Sequence, residues 1–193
     1  MKTFEEYLEL AESAHGHLCA GQVLGVRLAL AGLQRLGIDD PLGRHRKRLV
    51  TFVEIDRCAT DAVTVVTGCR LGKRALKFRD FGKVAATFCD LRTNRAVRVV
   101  ARESSKQRAK ELCPEIENRN QQQMQAYRIM PAEELFAHEW VRVELGPEEF
   151  PGYKGERRVC AECGEGVSFE RHVVREGRTL CRACAGERYY TPL

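Results

Sequence analysis

Four cysteines near the C-terminus constrain this chain more than any other feature of its sequence. They form two pairs, each with two residues between its members, and 17 residues separate the pairs: Cys160, Cys163, Cys181 and Cys184. A Cys-x2-Cys turn directs two thiolates at one ion, and two such turns complete a tetrahedron with sulfur about 2.3 Å from the metal. The spacing therefore predicts a four-cysteine zinc site.

The segment that carries these cysteines has too few apolar residues to fold without a metal. We expect short strands at residues 167–170 and 172–174, followed by a hairpin turn at 176–178. Glycine and proline at 146–147 and 151–152 mark a linker before this segment. The sequence thus predicts a core domain at residues 1–150 and a small zinc-ribbon-like domain at 151–193, in which structural zinc supplies the folding energy.

The cysteine count also bears on the compartment. Nine cysteines are an odd number, and the N-terminal residues are acidic where a secretion signal needs a basic and then an apolar region. We therefore expect a cytoplasmic protein without a disulfide framework. No stretch reaches 18 apolar residues, which argues against a membrane span. Cys89 and Cys113 match no motif and are predicted to be small buried residues.

Hydrophobic periodicity along the first 150 residues alternates between two patterns. Helices are predicted at residues 3–14, 22–36, 58–66, 103–112, 117–128 and from 131. Strands are predicted at residues 49–55, 76–79, 83–90, 96–101 and 139–145. The order of helices, then mostly strands, then helices favours an α+β fold, with a mixed or antiparallel sheet and flanking helices, over a doubly wound sheet.

The charge balance argues against a nucleic-acid partner. The chain has 32 basic and 27 acidic residues, a net charge of +5 that is spread over both predicted domains. With four thiolates and one Zn²⁺ the finger carries no net charge, so we expect it to be structural or to dock a protein. One basic run, at residues 44–48, is predicted to be a solvated loop, with an anion or nucleic-acid site as the alternative.

A second group of metal-ligating residues lies between the first two predicted helices. His15, His17 and Cys19 alternate along the chain, and Gly16 ends the preceding helix. In an extended loop, residues two apart share a face, so these three side chains can converge. Imidazole and thiolate together suit zinc, iron, copper or nickel far better than magnesium or calcium. The sequence therefore predicts a transition-metal pocket in the core.

A further thiol follows the first predicted strand. Cys58 opens a predicted helix, where backbone amides lower the pKa of a thiol and favour the thiolate. Asp61 lies three residues later on the same helix face and is predicted to orient a ligand. We expect Cys58 to meet His17 and Cys19 in space, as a shared set of metal ligands or reactive groups.

Four motifs in this region resemble a known family. They are His15-Gly16-His17-x-Cys19-x-Gly21, Glu54-x-Asp56-x-Cys58-x2-Asp61-Ala62, Thr67-Gly68-Cys69-x-Leu71-Gly72-Lys73 and the run from Phe78 to Ala85. Together they resemble the FmdE family of formylmethanofuran dehydrogenase subunits over residues 10–145, with the finger as an addition. The resemblance implies an α+β core, a homodimer, a pocket built from His and Cys residues, and association with molybdenum- or tungsten-dependent chemistry.

The resemblance also implies roles for particular residues. His17, Cys19 and Cys58 are predicted as pocket metal ligands or thiolate nucleophiles, with Asp61 and Lys73 orienting and tuning them. His15 and Cys69 are carried over as cofactor-binding residues. The pocket metal is a second transition metal whose identity the sequence leaves open. These roles predict an enzyme or enzyme accessory, related to an oxidoreductase subunit, that works beside a molybdenum or tungsten enzyme in one-carbon or redox metabolism.

Two other functions remain as alternatives. A non-catalytic regulator or adaptor would contact nucleic acid or protein through the finger and the basic run at 44–48. A metal-trafficking protein would load the pocket metal into another enzyme. Salt-dependent DNA affinity would favour the first alternative, and transfer of bound metal to an apo-enzyme would favour the second.

Overall fold

The first helix begins and ends where local sequence rules place it. In the computed structural model, which describes residues 2–192, α1 spans Phe4–His15. The Thr3 hydroxyl accepts a hydrogen bond from the backbone of Glu6, and the Glu6 carboxylate accepts one from the backbone of Thr3, at 3.2 and 2.7 Å. Gly16 adopts the left-handed conformation, with φ of 92°, and ends the helix. The backbone is therefore free of helical geometry from Gly16 to Cys19.

Two further helices follow the same rules. Helix α2 spans Ala20–Leu36, two residues longer at its start than predicted, and α3 spans Cys58–Thr67. Glycines in the left-handed conformation, Gly37 and Gly68, end these helices. Neither helix has a side-chain cap from its own N-cap residue, Cys19 for α2 and Arg57 for α3. Their first backbone N–H groups are thus open to partners from elsewhere in the fold.

A five-stranded sheet forms the centre of the first of two compact units, residues 1–144. Its strands are β1 Leu49–Val53, β2 Leu76–Phe78, β3 Ala85–Asp90, β4 Arg95–Ala101 and β5 Phe136–Val141. Their spatial order is β2-β1-β3-β4-β5; β1 and β2 are parallel and the other neighbours are antiparallel. The polar helices are α4 Ser105–Leu112, α5 Arg119–Ile129 and the short α6 Ala132–Leu135. This mixed sheet with flanking helices confirms the α+β prediction.

The last strand differs most from its prediction. It covers residues 136–141, whereas residues 139–145 were expected. Its bounds are set by pairing with β4, in which Phe136 lies opposite Ala101 and Val141 opposite Ala96. The core lies between α2 and the sheet. Phe88 of β3 is fully buried, and a Cβ on Gly32 of α2 would lie 2.2 Å from its ring. A glycine therefore sets how closely α2 approaches the sheet.

The chain divides into two compact units, Met1–Glu144 and Leu145–Leu193. The second unit contains two small antiparallel pairs, β6 Arg158–Val159 with β7 Gly166–Val167, and β8 Val173–Arg175 with β9 Arg178–Leu180. The hairpin turn expected at 176–178 consists of two residues, Glu176 and Gly177, which both have positive φ, and Arg178 already belongs to β9. The strand expected at 167–170 stops at Val167, because Phe169 and Glu170 turn into the left-handed region.

The described part of the chain, residues 2–192, contains no helix with both the length and the apolar character needed to cross a membrane.

Candidate metal centres

The four cysteines of the second unit converge on one point. Their sulfur atoms all lie within 4.8 Å of one another: Cys160, Cys163, Cys181 and Cys184. Cys160 follows β6 and Cys181 follows β9, so the ends of the two strand pairs carry the two Cys-x2-Cys turns. The backbone N–H of Cys184 donates to the sulfur of Cys181 at 3.4 Å. This is the donor set and arrangement of a closed structural zinc site.

The electrostatics of the cluster fit a divalent cation. Backbone N–H groups of Cys163, Cys181 and Glu162 lower the pKa of Cys160 to about 6. The neighbouring Cys181 thiol and burial raise the pKa of Cys184 to about 12. With no cation bound, the neighbouring sulfurs therefore keep Cys184 protonated at neutral pH, and a Zn²⁺ ion is the charge that lets all four sulfurs lie together as thiolates.

The apolar core of this unit is very small. Its buried hydrophobic cluster consists of Cys160, Leu180 and Ala185. Since each buried aliphatic side chain contributes only about 1.5–3 kcal/mol, such a core cannot offset the conformational entropy of about 50 ordered residues. Metal ligation is the remaining source of stability.

A second cluster lies in the loop between α1 and α2. One ligand atom from each of His15, His17 and Cys19 lies within 4.8 Å of the others. The two imidazole rings are 4.8 Å apart, centroid to centroid, and tilted by 42°. His15 is the last residue of α1 and Cys19 is the N-cap of α2, so the short segment between them, which bends at residues 16 and 17, brings the three side chains together.

Asp61 holds one of these imidazoles from another element. Its Oδ2 lies 2.8 Å from Nδ1 of His15, although 46 residues separate the two in sequence. Asp61 stands in the first turn of α3. A carboxylate on one ring nitrogen fixes the tautomer and leaves Nε2 as the nitrogen available to a metal.

Cys58 meets Cys19 where α2 and α3 cross. The sulfur of Cys19 would lie 3.6 Å from a Cβ placed on Gly21. Glycines allow the approach: a Cβ on Gly21 would lie 3.0 Å from Cβ of Cys58, and one on Gly25 would lie 2.5 Å from the carbonyl oxygen of Ala59. The sequence carries a signal for this crossing, because Gly21 and Gly25 are one helical turn apart and share a helix face.

The His/Cys cluster borders a cavity of about 510 Å³. Its lining residues are His17, Cys19, Ala20, Gly21, Leu24, Ile55, Arg57, Cys58, Ala59, Val84, Asn120 and Gln123. A second cavity, of about 440 Å³, lies against His15, Cys58 and Asp61. Cys58 therefore stands between two solvent-accessible spaces, each of which also reaches a residue of the His/Cys cluster.

Two lining residues, Asn120 and Gln123, come from α5 and were not predicted from the sequence. Oδ1 of Asn120 accepts a hydrogen bond from the backbone N–H of Ala20 at 3.0 Å and so caps α2 from another helix. This hydrogen bond holds the Asn120 side chain next to Cys19. The polar sequence of α5 shows no pattern that marks either side chain as part of a site.

Comparisons with known proteins agree with this architecture. Residues 14–137 match the family model FmdE, described as the molybdenum formylmethanofuran dehydrogenase operon family. The chain belongs to the FmdE family. Residues 155–190 match a second model, the prokaryotic dksA/traR C4-type zinc finger, which confirms the predicted zinc finger; the cluster of four cysteines lies within the matched residues.

Two individual relatives extend the comparison. A protein of Archaeoglobus fulgidus named "Probable S-adenosyl-L-methionine-binding protein" is 32% identical over 203 residues, which cover 93% of this chain and 52% of that protein. The FmdE-family chain thus spans about half the length of this relative. The crystal structure of a tungsten formylmethanofuran dehydrogenase FmdE-like protein from Syntrophus aciditrophicus superposes with a TM-score of 0.66 at 21% identity, over 98% of this chain and 96% of that one. This second similarity shows the fold.

In this FmdE-family chain the expected acidity of Cys58 is wrong. Burial and the neighbouring Cys19 thiol raise the pKa of Cys58 above its ordinary value. The backbone amide at the helix start and the charge of Arg57 act in the opposite direction, but they are weaker. Local sequence showed the helix start and could not show the desolvation.

The structure does not bring Cys69 and Lys73 to the His/Cys cluster. Helix α3 has ten residues, a length of about 15 Å, and both residues follow its far end. Cys69 is 3% exposed; it accepts a hydrogen bond from the Thr51 hydroxyl at 3.4 Å, and burial raises its pKa. Lys73 is exposed in the turn Leu71–Lys73. Cys89 and Cys113 are each 5% exposed, which confirms that they are buried.

The basic run at 44–48 is partly neutralised. Arg44 makes two hydrogen bonds of 2.7 Å to the carboxylate of Asp39. Arg48 pairs with the fully buried carboxylate of Asp90, with Nε at 2.9 Å from Oδ1. These pairs favour the structural interpretation of the run over a phosphate-binding one.

Proposed function

We propose that this protein binds a transition metal in its core, on His15, His17 and Cys19, in addition to the zinc of its finger. The observation that carries the proposal is the convergence of these three ligand atoms within 4.8 Å. The Asp61 carboxylate on His15 adds support, because second partners of this kind accompany nearly all metal-bound histidines. Two imidazoles and a thiolate select zinc, iron, copper or nickel.

The arrangement suits chemistry at the metal rather than a purely structural role. Three protein ligands leave a coordination position open, and the cavity of about 510 Å³ adjoins it. A metal bound there would act as a Lewis acid toward a molecule in the cavity. Cys58 lies beside Cys19 at the cavity wall, where its thiol faces a molecule bound at the open position. Asp61 keeps His15 oriented, and Asn120 holds the start of α2 next to Cys19.

The metabolic setting is inferred from the family. We place the protein as an enzyme or enzyme accessory, related to an oxidoreductase subunit, in molybdenum- or tungsten-linked one-carbon or redox metabolism. The family description names the formylmethanofuran dehydrogenase operon, and the similar crystal structure is of a tungsten formylmethanofuran dehydrogenase FmdE-like protein. A cytoplasmic homodimer that contacts a molybdenum or tungsten enzyme belongs to the same proposal.

Metal analysis of the purified full-length chain tests the core site. We expect two metal ions per chain in the wild type and one in His17→Ala, which keeps its finger zinc. His138→Ala is the matched control, because His138 is an exposed histidine of β5 outside the cluster. A double variant, Cys160→Ser with Cys163→Ser, should lose the finger zinc and keep the core metal. If His17→Ala and the wild type bind the same amount of every metal offered, the core site does not exist.

Metal trafficking is a second candidate that one observation favours. His17 is exposed, whereas His15 and Cys19 are half-buried, so an acceptor protein can reach one ligand of the site. Ligand exchange through an exposed histidine is a route by which metal passes from one protein to another. Transfer of the core metal to an apo-enzyme faster than its release into a chelator solution would support trafficking over catalysis.

A further inference from the structure

The thiols of Cys19 and Cys58 form a pair that neither the family nor the proposed metal site requires to react. They come from different helices: Cys19 is the N-cap of α2 and Cys58 is the first residue of α3. Thirty-eight residues separate them in sequence, and still both side chains lie against Gly21, where an added Cβ would be 3.0 Å from Cβ of Cys58 and 3.6 Å from the sulfur of Cys19. The tertiary crossing of α2 on α3 thus creates the pair.

Both thiols are reachable from solution. Each is half-buried, and each lines the cavity of about 510 Å³. The other three core cysteines differ in this respect: Cys69, Cys89 and Cys113 are only 3%, 5% and 5% exposed. A small reagent in the cavity therefore meets Cys19 and Cys58 together, and no other cysteine of the described residues lines that cavity.

The local backbone leaves room for the two sulfurs to join. A disulfide has a bond of about 2.05 Å and needs Cβ atoms about 3.5–4.5 Å apart. Gly21 stands between the two cysteines, and its missing side chain leaves open the space next to Cβ of Cys58 and the sulfur of Cys19. Cys19 precedes the helix and Cys58 begins one, so neither side chain is enclosed by a preceding helical turn. Formation of the bond requires rotation about the two side-chain torsions, which brings the sulfurs to that distance.

We propose that Cys19 and Cys58 are a redox-active dithiol that closes to an intramolecular disulfide by exchange with a small-molecule disulfide. The sulfur of one cysteine attacks a sulfur of the reagent, which forms a mixed disulfide and releases one thiol. The second cysteine then attacks its partner's sulfur and releases the second thiol. The two cysteines lose two electrons, the reagent gains them, and the two cysteine protons end on the two released thiols.

The dithiol shares Cys19 with the proposed core metal site. Any effect of disulfide formation on metal binding therefore rests on the proposed function. Where the core binds metal, the disulfide removes one ligand and the metal protects the dithiol. The formation of the disulfide itself does not depend on metal, because it needs only the two thiols and the reagent. The two ideas can therefore fail separately.

Peptide mapping of the full-length chain tests the pair. The protein, with zinc in its finger and its core stripped of metal, is exposed to glutathione disulfide, alkylated and digested with trypsin. Trypsin releases Cys19 in the fragment 3–27 and Cys58 in the fragment 58–70. We expect these fragments to become linked in most chains and to separate again under dithiothreitol. The second fragment also contains Cys69, so Cys69→Ala must retain the link.

Conservative single variants give the contrast. Cys19→Ser and Cys58→Ser should each abolish the linked fragments and leave a glutathione adduct on the remaining cysteine. If the wild type shows only glutathione adducts, or no modification at either cysteine, the proposal that Cys19 and Cys58 form a disulfide is wrong. Core metal content, measured on the reduced protein, reports on the metal site independently. A linked fragment without core metal binding would preserve the dithiol and overturn the proposed function.

Discussion

Nδ1 of His15 lies 2.8 Å from Oδ2 of Asp61, and this contact joins the last residue of α1 to the first turn of α3. The side chain of His15 is 18% exposed and that of Asp61 58%, so the pair sits at the edge of the site. By itself a partly exposed pair adds little to stability. Its consequence is orientation: the carboxylate occupies Nδ1 of His15, fixes the ring and leaves Nε2 available to a metal.

Asp61→Asn should weaken core metal binding without unfolding the chain. Loss of the carboxylate on a ligating histidine costs about 10–100-fold in metal affinity. Isothermal titration of the metal-free core with Zn²⁺ measures the effect. Asp56→Asn is the matched control, since Asp56 is an exposed carboxylate of the same cavity and belongs to neither metal cluster. Equal affinities for the two variants would mean that the contact does not orient His15.

The finger should lose its structure when its zinc is removed, whereas the sheet of the first unit should not. Cys181→Ser leaves three ligands and a hydrophobic cluster of only three buried residues, Cys160, Leu180 and Ala185. We expect proteolysis to cut the variant within residues 150–192 and to spare the first unit. The same pattern should follow treatment of the wild type with a strong zinc chelator. A variant that resists proteolysis as well as the wild type would contradict this.

A buried ion pair should make the stability of the core depend on acid pH. Burial alone would raise the pKa of Asp90, but hydrogen bonds from Arg48, Thr93 and the backbone of Arg92 outweigh it and lower that pKa to about 2. A folded-state pKa below the unfolded value of about 3.9 gives stability that is present above about pH 4 and is lost as the pH falls toward 2.

Asp90→Asn should therefore reduce the free energy of unfolding by about 2 kcal/mol at neutral pH and flatten its decline below about pH 4. Trp140, the single tryptophan of the chain, lies in β5 and reports on unfolding of the sheet in urea. Asp56→Asn serves again as the exposed control. A parallel decline of the wild type and Asp90→Asn between about pH 4 and 2 would assign the acid sensitivity to other groups.

Local rules explain which parts of this protein could be predicted from its sequence. The capping box of Thr3 and Glu6 and the helix-ending glycines act within a few residues, so α1, α2 and α3 were placed almost correctly. The cluster of His15, His17 and Cys19 lies within five residues, and it too was visible. The four-cysteine site follows from spacing alone.

What the sequence could not show depends on packing between distant elements. Asn120 reaches the site from α5 through a contact with Ala20, 100 residues earlier. The pKa of Cys58 rises because burial exceeds the effect of the helix start. Cys69 belongs to a motif next to that of Cys58, but the length of α3 separates the two residues. Motif proximity along the chain did not predict proximity in space.

Gly25 provides the sharpest test of how the site is assembled, because its replacement by alanine should act against the usual trend. In a helix interior, a change from glycine to alanine ordinarily stabilises by about 1 kcal/mol. At Gly25 a new Cβ would lie 2.5 Å from the carbonyl oxygen and 2.7 Å from Cα of Ala59, and these backbone atoms cannot move aside without shifting α3. We therefore expect Gly25→Ala to destabilise the core by about 1–3 kcal/mol, the usual cost of overpacking.

The shift of α3 should also separate Cys58 from Cys19 and Asp61 from His15, so that Gly25→Ala lowers core metal affinity although it touches no ligand. Gly72→Ala is the matched control, because Gly72 is exposed, its φ is not positive and no atom lies within 4 Å of the added Cβ. Urea unfolding and Zn²⁺ titration of both variants measure the two effects together. The added Cβ of Gly25→Ala would meet backbone atoms, which cannot rotate away. If this variant has the same stability and metal affinity as Gly72→Ala, the α2–α3 crossing does not set the geometry of the site.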